Sequence, residues 1–266
     1  MPFDAVVPPP PPASFRPPPQ PVEVGTLVSR TFAVWSKHVW LFAGFFAVAV
    51  MLPAFVVGMI AALAVGAGTS EGGLQGGSST AILVTTVSVG FPLILVAAFV
   101  NMGGLTYGAI QGLAGRPVAF GTMFSVGFRR LLPMIVAGIV IGLAVGLGFL
   151  LLIVPGVILG CGLAAAMPVV VAEKMGPLDA IRRSWELTSG SRGTIFLTGL
   201  IFVLINLGLT LVGIVLGLIP ILGQLASLII NVVTGSLGTI WLAVVYHDLR
   251  VAKEGVETDD LARVFE

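Results

Sequence analysis

The sequence predicts an all-α polytopic membrane protein with six transmembrane helices, on three observations. Only 9% of the 266 residues are charged while 57% are hydrophobic, whereas a water-exposed domain of this length carries about 25% charged residues. Mean hydropathy is +1.09, and several apolar runs exceed the roughly 18 residues that mark a spanning helix. The basic residues sort onto alternate connections between those runs, which gives a topology as well as a class. The apolar fraction also excludes disorder throughout. Thirteen Lys and Arg against twelve Asp and Glu leave a net charge of +1, so no nucleic-acid partner is expected. One cysteine, Cys161, permits no internal disulfide and no cysteine zinc cluster.

Taken in order, residues 1–21 stand apart. Ten of the 18 prolines lie there, including the run Pro8 to Pro12. Proline fixes φ and lacks an N–H, so an extended, hydrated polyproline-type tail is expected. It reads first as a tether or spacer, and second as a docking segment for a protein partner with an aromatic-lined groove. The membrane domain is expected over residues 22–250, followed by a short charged tail, 251–266.

Six spans are predicted at about 39–66, 80–112, 131–153, 156–173, 193–218 and 224–247. Pro92 sits inside the second, which is expected to kink or tilt. Pro155-Gly156 and Ile219-Pro220 read as tight turns, and residues 66–79 as a Gly/Ser-rich connection with one charge, Glu71. Every Lys and Arg lies before span one, between spans two and three, between four and five, or after six. The positive-inside rule then places both termini in the cytoplasm.

A three-fold internal repeat is expected, each unit an amphipathic interfacial helix followed by two spans. The interfacial segments are Leu27–Trp35, Met123–Arg130 and Ala180–Leu187. A small residue followed by an aromatic recurs at Thr31-Phe32, Gly127-Phe128 and Ser184-Trp185, with the aromatics at headgroup level.

Glycines at four-residue spacing form stripes at Gly104, Gly108, Gly112; Gly138, Gly142, Gly146; Gly156, Gly160; and Gly213, Gly217. Such stripes let helix backbones approach, within the chain or in a homo-oligomer. Asn101, Gln111, Asn206, Gln224 and Asn231 are expected first to make interhelical hydrogen bonds, the alternative being that they line a polar cavity or translocation path.

The chemistry of an enzyme is not evident. No ionisable residue falls in mid-membrane on this topology, as proton relays need. Ser236 and His247 stand 11 residues apart on one helix, about 16 Å, too far for nucleophile and base. No metal or cofactor is expected. The candidate site is instead a cluster at the cytoplasmic face: Arg129, Arg130, Arg182, Arg183, Glu186, Asp248 and Arg250. One reading is an ion-pair lock in which Asp248 meets Arg182 or Arg183. The other is an anionic-lipid headgroup site made by Arg129, Arg130, Arg182 and Arg183.

Three stretches resemble a known family. They are Val154-Pro155-Gly156-Val157-Ile158-Leu159, the segment Gly176 to Thr188 (GPLDAIRRSWELT), and Tyr246 to Gly255 (YHDLRVAKEG). In that order they are similar to the bacterial membrane-domain family named after the membrane part of some glycerophosphoryl diester phosphodiesterases. His247 stands where that family usually has a second tyrosine, and Ala252 where it often has a basic residue. The resemblance covers about residues 22–256. It implies a stand-alone membrane domain of a bacterial inner membrane, without the catalytic half of the family name. The expected role is a non-enzymatic envelope scaffold or lipid-associated accessory. The alternatives are a translocator of lipid or a small amphiphile, and a regulator of a separate glycerophosphodiester-processing enzyme.

Overall fold

In hydrocarbon an unpaired backbone N–H or C=O costs several kcal/mol, so each apolar run must close its own hydrogen bonds as a helix. The structure, a computed structural model, describes residues 22–70, 84 and 86–265. The proline-rich tail and residues 71–79 of the Gly/Ser-rich connection, with Glu71, lie outside the described residues. Among the described residues six helices are long and apolar enough to cross a membrane: Val39–Leu63, Val87–Leu113, Leu131–Leu151, Ile153–Ala172, Arg192–Leu216 and Leu222–Glu254, here spans 1 to 6. No strand occurs among the described residues.

Helix α1 (Val24–Lys37) precedes span 1, which is α2 (Val39–Phe46), a π-helical turn (Ala47–Met51) and α3 (Leu52–Ser70). Span 2 is a second π-helical turn (Thr86–Gly90) running into α4 (Phe91–Leu113). The two π turns have one cause. A proline ring clashes with the carbonyl four residues earlier. For Pro53 and Pro92 those carbonyls belong to Ala49 and Ser88, both inside the π turns. The extra residue in the turn moves the carbonyl aside. The distortion expected at Pro92 is thus met by a π turn, and span 1 repeats the device.

Helix α5 (Phe120–Arg129) leads into span 3, α6 (Leu131–Leu151). Span 4 is α7 (Ile153–Gly162) plus α8 (Ala166–Ala172). The reversal between spans 3 and 4 occurs one turn earlier than Pro155-Gly156. It is a single extended residue, Leu152 (φ −162°, ψ 150°). Pro155 lies in the first turn of α7, where its missing N–H has no partner to lose. Helix α9 (Pro177–Thr188) leads into span 5, α10 (Arg192–Leu216). Span 6 is α11 (Pro220–Glu254), entered through Ile219-Pro220 as the turn signal predicts.

The three interfacial helices meet their spans through nearly identical joints. His38 (φ −123°, ψ 24°), Arg130 (−108°, 7°) and Ser191 (−115°, 6°) are the joint residues. In each, the joint carbonyl accepts the first helical bond of the span, from Phe42, Met134 and Ile195 at 3.0 Å. Aligned on the joints, Thr31 matches Ser184 seven residues upstream, and the second unit's match is Met123. The aromatic position is therefore Phe32, Phe124 and Trp185. This corrects the register of the second unit by one helical turn.

The units close into a ring. Spans 2, 4 and 6 touch one another at the centre, while each odd span lies between its own even span and that of the preceding unit. In the most apolar stretches of spans 2, 4 and 6, 33%, 56% and 33% of residues are buried, against 11%, 17% and 6% for spans 1, 3 and 5. The odd spans thus present their leucines, valines and phenylalanines to lipid. Each interfacial helix rests on the even span of the unit before it: α5 on span 2, α9 on span 4, and α1 on span 6.

The glycine stripes mostly seat side chains rather than backbones. A Cβ on Gly104 would lie 2.3 Å from the Phe45 ring, and one on Gly108 2.7 Å from Phe42. Gly142, Gly146 and Gly160 face open space. Backbones do meet at Gly127, where a Cβ would stand 2.5 Å from the Val100 carbonyl oxygen. The polar residues of the spans differ as well. Asn231 bonds within its own helix, to the Ser227 carbonyl, and Gln111 donates to the Ala262 carbonyl at 3.0 Å.

That last bond belongs to the C-terminal segment. The residues expected as a short charged tail, 251–266, continue span 6 to Glu254, turn at Gly255 in the left-handed region (φ 63°), and form α12 (Thr258–Arg263). Leu261 and Ala262 are buried against span 2, and Phe265 stacks edge-on against Tyr107.

Candidate functional site

The charged ends of spans 4 and 6 and the three interfacial helices share one face of the ring. Glu173 ends span 4 directly after the buried run Met167–Ala172. A carboxylate at that edge is stable only when paired. Its Oε1 accepts from Arg250 Nη1 at 2.5 Å and from the Tyr246 hydroxyl at 3.1 Å, and its Oε2 accepts from Arg183 Nε at 3.1 Å. Glu254 completes the set, pairing with Arg183 Nη2 and with Arg250 Nε, the latter at 2.7 Å. Two arginines and two glutamates thus neutralise one another where span 4, α9 and span 6 converge. Fork-shaped guanidinium groups suit such double contacts.

A second group joins the first unit to the last. Arg30 of α1 donates to Asp248 of span 6 at 2.6 Å, and Asp248 is only 6% exposed. In the neutral tautomer His247 Nδ1–H donates to the same carboxylate (2.8 Å), and Nε2 accepts from the Thr258 hydroxyl (3.0 Å). About three turns back along span 6 from Asp248, the Trp35 indole donates to Ser236 Oγ at 3.0 Å. Ser236 and His247 are thereby committed to different partners.

A third contact fixes α9. Span 4 breaks at Leu163–Ala165, and the N–H of Ala166 turns to the Leu163 carbonyl. The Gly162 carbonyl, freed from the helix, accepts from the Ser184 and Thr188 hydroxyls at 2.9 and 3.0 Å. A buried carbonyl must find a donor, and α9 supplies two. Trp185 lies on the Cα of Gly162, and the Arg192 guanidinium sits 3.8 Å above its ring.

No protein family, no curated protein and no solved structure matches this chain. Its site is therefore described from its own geometry.

The residues singled out in the sequence divide into four groups. Arg183 and Arg250 meet, through Glu173 and Glu254. Asp248 does not meet Arg182 or Arg183; its partner is Arg30. The reason is the ring, which brings α1 rather than α9 beside Asp248. Arg182 and Glu186 pair with each other one turn apart at 3.2 Å, and both are exposed. Arg129 is exposed, and Arg130 donates to the Lys174 carbonyl at 3.4 Å. The four arginines read as one headgroup site therefore separate: Arg183 is held by Glu173 and Glu254, while Arg182 stays exposed beside Glu186. Sequence reasoning missed Glu173, Glu254, Tyr246, Arg30 and Arg192. Glu173 carried a usable signal, since a lone acid ending an apolar run must pair. Among the described residues no group of three His, Cys, Asp or Glu side chains could hold a metal.

Proposed function

We propose that this chain is a non-enzymatic, lipid-associated scaffold of the bacterial cytoplasmic membrane, with both termini in the cytoplasm. The observation that carries the reading is the use made of the charged face. Its acids are spent on tying interfacial helices to spans: Glu173, Glu254 and Asp248 each bridge separate elements. Such a network holds a shape. Among the described residues Arg129, Arg130 and Arg192 are cations of this face with no acid partner, and anionic headgroups supply the counter-charge. The three stretches similar to the phosphodiesterase membrane-domain family agree with this reading.

Two measurements test it. Single cysteines at Ser36 and Leu218, in a Cys161→Ser background, should react with an impermeant thiol reagent from opposite sides, Ser36 from the cytoplasm. The full-length chain is also reconstituted in vesicles of equal phosphatidylglycerol and phosphatidylethanolamine, gently extracted, and weighed by native mass spectrometry. Selective retention of phosphatidylglycerol, weakened when Arg129 and Arg130 together, or Arg192, are changed to Ala, supports the reading. Retention of both lipids in proportion to their abundance refutes it.

The translocator alternative draws on one observation. Asn101, on central span 2, is buried and its Oδ1 has no donor among the described residues. Uptake of a labelled lipid by vesicles containing the protein, abolished by Asn101→Leu, would favour that reading.

A further inference from the structure

Spans 3 and 5 flank span 4, and between them lies a groove of about 570 Å³, within the range of about 300–1,000 Å³ typical of ligand sites. Its floor is the small-residue face of span 4, Gly156, Gly160 and Ala164. Span 3 contributes Gly138, Gly142 and Val145, span 5 contributes Phe196, Gly199 and Val203, and Trp241 of span 6 closes the back. Along span 3 the lining runs from Gly138 to Phe149, about 16 Å at 1.5 Å per residue. The groove is an elongated apolar slot, not a compact chamber.

Other places where an interfacial helix approaches the spans are filled by aromatics. Phe32 of α1 stacks on Phe202 of span 5, with centroids 6.1 Å apart. Phe124 of α5 packs on Phe45 of span 1 at 4.7 Å. The corresponding residue of the third unit is Trp185. It turns onto Gly162 and carries Arg192 above its ring, leaving the slot between spans 3 and 5 open.

Two polar groups lack partners at this slot. Arg192 makes no ion pair among the described residues and its Nε has no acceptor; it lies one turn before the groove residues Ile195 and Phe196. The Trp241 indole N–H is buried without an acceptor among the described residues. An apolar slot within the bilayer, an unpaired cation at its charged-face end, and an unsatisfied donor in its wall describe an amphiphile: a chain, an ester carbonyl and an anionic head.

We propose that this groove is a binding site for one anionic phospholipid, with an acyl chain along Gly142, Gly160 and Gly199, its phosphate at Arg192 and an ester carbonyl at Trp241. This rests on the lipid-associated reading above and adds a location and a stoichiometry of one per chain. A guanidinium stacked on an indole keeps its N–H edge for phosphate oxygens. The open space around Gly142 and Gly160 makes the test clean, because a Cβ at either position meets no protein atom within 4 Å, so a side chain there starts into the slot rather than into a neighbour.

The experiment uses the full chain in the same mixed vesicles, with gentle extraction and native mass spectrometry. Wild type should retain one phosphatidylglycerol. Gly160→Leu and, separately, Gly142→Leu should lose it while keeping wild-type helix content and elution volume. Arg192→Ala should keep a lipid but lose about tenfold in preference for phosphatidylglycerol over phosphatidylethanolamine, the worth of one charge-assisted hydrogen bond. Folded groove variants that retain the lipid like wild type overturn the proposal, as does an unchanged preference in Arg192→Ala. If the lipid is lost only in Arg129→Ala/Arg130→Ala, the lipid-associated reading stands and the groove assignment fails. If wild type selects no lipid, both fail.

Discussion

Replacing Glu173 by Gln keeps the shape of the side chain and removes its charge. In the native protein that carboxylate accepts from two arginines and a tyrosine and is only 10% exposed. A hydrogen bond to a charged group contributes about 1.5–3 kcal/mol. Gln retains one carbonyl oxygen, and Glu254 still engages both Arg183 and Arg250. The loss should therefore stay below the roughly 3–5 kcal/mol of an orphaned buried charge, at about 2–3 kcal/mol. Glu186→Gln is the matched control. Its arginine partner is 83% exposed and Glu186 itself 57%, and an exposed pair one turn apart contributes about 0.3–0.5 kcal/mol. The assay is denaturant unfolding in mixed micelles, followed by tryptophan fluorescence. If the two variants fall within about 0.5 kcal/mol of each other, Glu173 is not the hub of the charged face.

Three further outcomes follow from the same geometry. Asp248→Arg should lower the yield of folded protein, and Arg30→Asp should restore it where Arg183→Asp does not; size-exclusion recovery reads the difference. Gly127→Val should cost at least the about 1–3 kcal/mol of overpacking, because its Cβ meets the Val100 carbonyl rather than a movable side chain, while Gly142→Ala should be neutral on the same unfolding curves. Ser184→Ala/Thr188→Val should strand the Gly162 carbonyl and cost about 1–3 kcal/mol, with faster hydrogen exchange in α9 than either single change.

Span number and the three interfacial helices were legible because membranes impose them. Long apolar runs, with Arg and Lys sorted to alternate connections, leave few other solutions. The register of the second unit was not legible, since Phe124 and Phe128 lie one turn apart and either fits a headgroup-level aromatic. The charged face was half legible. Arg183 and Arg250 could be placed at the same depth, but depth does not choose partners among chemically alike residues. Asp248 found Arg30, 218 residues away, because the ring brings the first helix beside the last span. Nothing in the local sequence of either residue announces that closure. The C-terminal helix escaped for a different reason: six residues with two acids in the first turn look like solvated chain until Leu261 and Ala262 are seen buried.

That closure has a consequence for how the protein is made. Helix α1 leaves the ribosome before any other described element, yet the surface it rests on is synthesised last. Until span 6 arrives, Arg30 and Trp35 lack their partners Asp248 and Ser236, and α1 must wait on the lipid surface with only part of its seat, where Val34 meets Gly112 of span 2, in place. Joining ends so distant in sequence makes the final step slow relative to helix insertion, since long-range contacts carry the largest closure entropy. A circular permutant that starts at α5 and links α12 to α1 would deliver α1 directly after span 6. It should mature faster while reaching the same ring.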